Sequence, residues 1–304
     1  MKRIVAYARD PGSANMTIAA CAALAALQAR DDLGPARALF GLVERETPAF
    51  DIYAGGPAHA AWTRAGAMPR DPADVFGALP AAAGLVTGLD DVDDPIPRPL
   101  WRRARELGVP SAAFCDNNIN LGIRLKDGLG PIAPDLVFAL GDAAREEIVK
   151  AGVSRDRVPV IANLHLDALA ARPRDHAALR ASMRERWGID PAASVWLYAG
   201  VVRRELHGLR EIGREDEVEA LRALSAKLDA RGDPNLWLVI RPHPRDSAGK
   251  YSGMRASRVG MLESNAGTSI EALLGADVVV SLSEAILDEA RVLGRSAYHP
   301  DEVK

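Results

Sequence analysis

Val239-Ile-Arg-Pro-His-Pro-Arg245, then Asp277-Val-Val-Val-Ser281, then Glu284 through Gly294 is the stretch on which the reading of this chain turns. One apolar run ends in Arg-Pro-His-Pro. A second ends in Ser-Leu-Ser-Glu and passes straight into a helix-like run. Short apolar runs that lead into polar turns and helices are strands of a parallel sheet, and their carboxyl ends open on one edge, where α/β proteins hold ligands. A histidine, two arginines and a helix start at that edge suit a phosphorylated ligand such as a nucleotide diphosphate.

Outward from this stretch, strand-like and helix-like runs alternate along the whole chain. Strands are predicted at Ile4–Ala8 and near Ala38–Val43, Leu85–Thr87, Ser111–Cys115, Leu136–Leu140 and Val158–Ala162, with helices at Asn15–Ala29, Leu100–Leu107 and Ala143–Ala151. Leu166–Asp190, with Arg172-Pro173 and a charged helical run at Ala177–Trp187, reads as a connector. Beyond it, strands are predicted at Val195–Tyr198, Leu236–Ile240, Val259–Leu262 and Asp277–Val280, and helices at Glu215–Ala230, Ser269–Leu274 and Ala285–Leu293. The alternation predicts an α/β protein of two doubly wound, Rossmann-like domains, 1–164 and 165–304, facing a cleft.

The bulk numbers agree with that size and narrow the partners. A length of 304 residues allows two domains of roughly 150 residues, each able to build a core. A formal charge of −3 argues against a general nucleic-acid binder. Cys21 and Cys115 fit reduced, buried thiols of a cytoplasmic protein. Met1-Lys-Arg-Ile-Val reads as a first strand and not a signal peptide, and no apolar run reaches the length of a membrane span.

The candidate residues each carry two readings. Two prolines flank His243 and forbid helix or central strand there, so the imidazole sits on a stiff turn between Arg241 and Arg245, either to meet a phosphate or to end a strand. Ser281 and Glu284 have capping-box spacing, as do Thr268 and Glu271. A helix start is also an anion site, so Ser281 and Ser283 can hold a phosphate while Glu284 or Glu289 meets ribose hydroxyls. Asp10-Pro-Gly-Ser-Ala-Asn15 matches neither a dinucleotide nor a Walker loop; Ser13 reads as an N-cap and Asp10 as a general base at the sheet edge, or as loop structure alone. Asp116, Asn117 and Asn118, with Arg124, are polar groups where an acceptor can lie, or an Asx-rich turn. Asp90-Asp-Val-Asp-Asp94 reads as a solvated acidic loop in preference to a metal site. His207, with Arg203 and Arg204, is a second candidate phosphate contact, and no histidine or cysteine spacing matches zinc.

These residues carry a family resemblance. Gly152-Val-Ser-Arg-Asp-Arg-Val-Pro-Val-Ile-Ala-Asn163, followed by Leu166-Asp167 and Leu169, resembles the inter-domain passage of GT-B-fold enzymes, with Ala162 and Leu164 where that passage carries glycine and proline. Arg241-Pro-His-Pro244 is similar to the His-Pro motif of bacterial sialyltransferases, CDP-glycerol transferases and related capsule enzymes. Asp277–Gly294 is similar to their closing donor-site segment, and Asp10–Asn15 and Asp116 resemble counterparts in polysaccharide-biosynthesis proteins. UDP-GlcNAc 2-epimerases share the fold and much of the pattern. GT-B chains usually finish with a helix crossing back to the first domain, and no such run is evident before Lys304.

The resemblance implies a GT-B glycosyltransferase that is metal-independent, needs no cofactor, and moves a sugar from a nucleotide-sugar donor to a glycan or small-molecule acceptor, with a homodimer as one form. The donor would lie on Arg203, Arg241, His243, Ser281, Ser283, Glu284 and Glu289. Catalysis would fall to Asp10, Asp116 and His243, and acceptor binding to Ser13, Asn15, Asn117 and Arg124. A hydrolysing nucleotide-sugar 2-epimerase and a non-catalytic GT-B-like binding module are the alternatives.

Overall fold

A computed structural model describes residues 1–304 except 27, 29, 91, 202–216, 245 and 247. The chain divides into two compact units, Met1–Ala168 and Leu169–Lys304. The division falls within a helix, Leu164–Ala171. Among the described residues no helix is long and apolar enough to cross a membrane.

The first unit is built on five parallel strands: β1 (Arg3–Ala8), β2 (Ala49–Ala54), β3 (Gly84–Gly88), β4 (Ser111–Phe114) and β5 (Leu136–Phe138), in the spatial order β2-β1-β3-β4-β5. Strand period sorts side chains between the two faces. Val5 and Tyr7 pack in one core cluster with Trp101, whereas Ile4, Ala6 and Ala8 pack in the other with Phe114 and Phe138, whose rings stack at 4.5 Å. With both faces covered, β3 is buried along its whole length, the state that uninterrupted apolar strands require. The alanine-rich helix α1 (Pro11–Ala25) covers one face, and its small side chains permit a close approach. A Cβ on Gly88, at the end of β3, would lie 1.7 Å from the Ser13 hydroxyl oxygen.

The second unit repeats the plan with β6 (Ser194–Ala199), β7 (Leu236–Arg241), β8 (Gly260–Glu263), β9 (Val278–Ser281) and β10 (Ser296–Tyr298), in the order β8-β7-β6-β9-β10, all parallel. Trp196, Tyr198, Leu238, Ile240 and Val280 share a buried cluster with Leu221, Leu224 and Leu228 of a flanking helix, Glu217–Ala230. At the amino edge, Arg184 is 1% exposed; its guanidinium donates to Gly275, Pro191 and Ala193 carbonyls and to Asp277, whose carboxylate also accepts the Val195 N–H. That pin fastens the helix His176–Trp187 to the sheet, with each of the three guanidinium nitrogens hydrogen-bonded.

Several sequence expectations need correction. Ala38–Val43 is not a strand: Gly34–Leu39 is a helix with Pro35 in its first turn, where a proline fits. The strand is Ala49–Ala54, which went unpredicted. The first helix spans Pro11–Ala25 and not Asn15–Ala29, so its N-cap is Asp10 and not Ser13. Val158–Ala162 contributes a single bridge, Ala139 to Val160, and no strand. The charged run at 176–187 is a packed helix of the second unit. The short strand Ser296–Tyr298 also went unpredicted.

Gly88→Ala is expected to lower stability by about 1–3 kcal/mol, because the added methyl meets both the side chain and the backbone of Ser13. Urea unfolding of the variant checks this; an unchanged midpoint would contradict the close helix–strand approach.

Candidate functional site

In the second sheet the strand order reverses direction between β6 and β9, and ligands of doubly wound sheets bind outside the carboxyl ends at such a point. The structure joins those two ends directly. The Ser281 hydroxyl donates to the Ala199 carbonyl at 2.9 Å and accepts the Ser283 N–H at 3.1 Å. Ser281 is therefore buried and spent within the turn. It is not the helix cap, and the Ser281–Glu284 capping box does not form: the helix Glu284–Val292 has Ser283 as N-cap, with no side-chain cap bond. Glu284 is exposed and pairs with Arg291 at 3.4 Å. The helix Ser269–Gly275 differs, since Thr268 and Glu271 complete their capping box and close that start on itself. Among these two helix starts, only the one after Ser283 keeps first-turn N–H groups free of a side-chain cap, the arrangement that suits an anion.

On the other side of β6, β7 ends in Arg241-Pro-His-Pro244. Arg241 donates to the carbonyls of Ala266 and Gly267 at 2.8 and 2.9 Å, so it ties its strand end to the neighbouring loop; burial lowers its pKa. The His243 N–H donates to Asp246 at 2.8 Å, and the Asp246 N–H returns a bond to the His243 carbonyl at 2.9 Å. Asp246 also accepts from Lys250 at 2.7 Å and lies 3.2 Å from the Tyr251 hydroxyl, whose single proton it shares with Glu217. Glu217 accepts from the Val201 N–H at 2.7 Å, from Tyr251 at 2.9 Å, and from Lys250. Glu217, Asp246, Lys250 and Tyr251 escaped sequence reasoning; Asp246 and Lys250 stand four apart, but Glu217 joins them only through the fold. Arg203, Arg204, His207 and Arg245 lie outside the described residues, as does Asp91.

In the first sheet the corresponding point lies between β1 and β3. The two ends of the acidic loop after β3 are buried, contrary to expectation, while Asp93 between them is exposed. Asp90 is 3% exposed and Asp94 0%. One Asp90 oxygen accepts the N–H groups of Arg9 and Asp10 at 3.1 and 2.9 Å, while the other is buried with no hydrogen-bond partner among the described residues. Asp94 accepts from the Tyr7 hydroxyl at 2.8 Å and the Ile96 N–H at 3.0 Å. Burial pushes the Asp90 carboxyl up to about 7, aided by the neighbouring charges of Asp10 and Asp94, against the two backbone N–H bonds. Burial raises Asp94 as well.

The turn Asp10-Pro-Gly12 touches a second carboxylate too. A Cβ on Gly12 would lie 2.4 Å from Asp116 Oδ2. Asp116 pairs with Arg124 at 2.9 Å and accepts from the Asn117 amide at 2.9 Å, while the same Arg124 nitrogen donates to the Leu89 carbonyl. Asn117 in turn accepts the Ile119 N–H at 2.9 Å, an Asx turn. Ser13 is fully buried against Gly88, and Asn15 is half-buried on the same helix. The structure thus gathers Asp10, Asp90 and Asp116 around one helix start.

No family model matches this chain, and no curated protein matches it. Solved structures do. The UDP-GlcNAc 2-epimerase from Neisseria meningitidis bound to UDP-GlcNAc is 13% identical and matches over 98% of this chain and 82% of its own, with a TM-score of 0.58. A putative UDP-N-acetylglucosamine 2-epimerase from Listeria monocytogenes is 12% identical over 98% and 79%, also at 0.58. Anabaena HepE in complex with UDP-glucose is 13% identical over 98% and 80%, at 0.56. The likeness is one of fold: the chain has the GT-B-like two-domain α/β fold that these structures share.

The unfolded Asp90 ionises near 3.8 and the folded one near 7, so between those values the native state holds more protons and stability falls as pH rises. Asp90→Asn removes this fall. Urea midpoints of variant and wild type are expected to diverge in favour of the variant from about pH 4 to about pH 7, and parallel curves would contradict the buried carboxyl.

Proposed function

We propose that the protein transfers a sugar from a nucleotide-sugar donor to an acceptor hydroxyl, without a metal ion. The observation that carries this reading is the carboxyl edge of the second sheet. There a helix start without a side-chain cap stands at the switch point, and the Arg-Pro-His-Pro turn flanks the same central strand. The donor diphosphate lies against the N–H groups that follow Ser283, and the His243 imidazole donates to a phosphate oxygen. Ser281 acts from behind by holding the β6–β9 turn, and Arg241 by holding the loop at Ala266–Gly267. Glu284 or Glu289 meets the ribose hydroxyls. The fold shared with structures solved with UDP-GlcNAc and UDP-glucose supports a nucleotide-sugar as the ligand class.

In the transfer, the acceptor oxygen attacks the anomeric carbon, its proton passes to a carboxylate, and the bond to the diphosphate breaks with inversion. The negative charge developing on the diphosphate is met by His243 and the helix start. Of the carboxylates in the first unit, Asp90 keeps one oxygen without a hydrogen-bond partner among the described residues, and burial brings its carboxyl to about 7, which together suit a proton acceptor near neutrality. The Asp10 N–H donates to it. Asp116 is held by Arg124, which makes both suited to orienting the acceptor together with Asn117. A second reading, a hydrolysing 2-epimerase, draws on Asp90, since a carboxyl near 7 both takes and returns a proton.

Calorimetry against CMP, CDP, UDP, GDP and dTDP is expected to find one diphosphate that binds. His243→Ala is expected to weaken it ten- to hundredfold, the value of about 1.5–3 kcal/mol for a hydrogen bond to a charged group. An unchanged dissociation constant would remove His243 from the site, and silence across the panel would favour a non-catalytic module. Release of ManNAc and UDP from UDP-GlcNAc alone would assign the epimerase.

A further inference from the structure

We infer that Glu217, Asp246, Lys250 and Tyr251 are positioning residues that hold His243 against the donor; the inference rests on the donor site proposed above. Four facts converge on it. First, the network is where the backbone of the functional turn is fixed: the His243 N–H ends on Asp246, and the Asp246 N–H ends on the His243 carbonyl. Second, it binds that turn to the neighbouring strand end, because Glu217 accepts the Val201 N–H and the single Tyr251 hydroxyl proton is shared between Glu217 and Asp246. Third, it is tightly packed: a Cβ on Gly200 would lie 2.6 Å from the Tyr251 hydroxyl and 3.1 Å from Glu217. Fourth, among the described residues its charges pair with one another. The Glu217 and Asp246 side chains are each 5% exposed, and the Lys250 ammonium contacts both.

The cluster is an unusual investment for a loop. Two carboxylates removed from water are costly unless paired and hydrogen-bonded, and here a single lysine and a single phenol serve both. Burial works against the charged Lys250, but its bonds to Asp246 and Glu217 outweigh it and raise its pKa above the ordinary value. Burial and the nearby Glu217 charge raise the Tyr251 pKa, so its hydroxyl keeps its proton and remains a donor. A shell of this kind limits where a ligand-binding turn sits before the ligand arrives, which spares ordering cost on binding. A purely structural network would stabilise the fold without selective effect on one side chain's contribution to binding.

A double-mutant cycle on affinity separates these cases. With the diphosphate that the wild-type protein binds among CDP, UDP, GDP and dTDP, Tyr251→Phe is expected to weaken binding about fivefold, the effect of one lost hydrogen bond. In the His243→Ala background the same change is expected to cost nothing further. Asp246→Asn, which keeps an acceptor for the His243 N–H, is expected to retain more affinity than Asp246→Ala, with thermal midpoints reporting that each variant is folded. If His243→Ala weakens binding but Tyr251→Phe does not, or weakens it equally in both backgrounds, the positioning role is overturned and the donor site stands. If His243→Ala itself has no effect, the donor-site reading fails and this inference with it.

Discussion

Every strand in both sheets runs parallel to its neighbours, and the candidate chemistry follows from that constraint. Parallel pairing needs a crossover after each strand, so helices cover both faces and all carboxyl ends fall on one edge. Sequence-distant residues are thereby brought into register: Ala199 beside Ser281 in one sheet, the Asp10 turn beside Asp90 in the other. The edge is also where a strand stops supplying partners to its neighbour. Polar groups there must be satisfied by side chains or by a ligand, and the two edges meet that demand in different ways.

In the second unit, the demand is met by side chains that spend themselves on the backbone. Ser281, Arg241 and Glu217 each satisfy main-chain groups of neighbouring segments, while the helix start after Ser283 keeps its backbone donors without a side-chain cap. In the first unit, carboxylates do the same work and pay in desolvation. Asp90 holds two N–H groups with one oxygen and keeps the other in a dry environment, and its raised pKa is the direct consequence. Backbone donors free of a cap at one edge and a readily protonated carboxyl at the other are the outcomes of the same demand met by different side chains.

Much of the fold was legible because the central strands are short apolar runs bounded by turn residues: Ile4–Ala8, Val195–Tyr198 and Asp277–Val280 emerge within a residue or two. Ala49–Ala54 was not, because it is an edge strand whose pattern is broken by Asp51, a largely covered residue that pairs with Arg3 and Arg70. The helix at 176–187 read as a connector because its charges look solvated, yet Arg184 is buried by a carboxylate almost a hundred positions away. At the site, residue types and positions were readable and roles were not. Ser281 and Ser283 are alike in sequence, and only the direction of the strand end decides which one faces inward. The burial of Asp90 likewise arises from packing against the end of β1, which no local pattern carries.

Hydrogen exchange measured by mass spectrometry, with and without the nucleoside diphosphate that binds, tests the central claim most directly. The account predicts slowed exchange of the amides that follow Ser283, and of those around Gly200–Val201 and His243–Asp246, where the ligand and the turn that holds it meet. Slowed exchange confined to other segments, with these amides unaffected at saturating ligand, would contradict it.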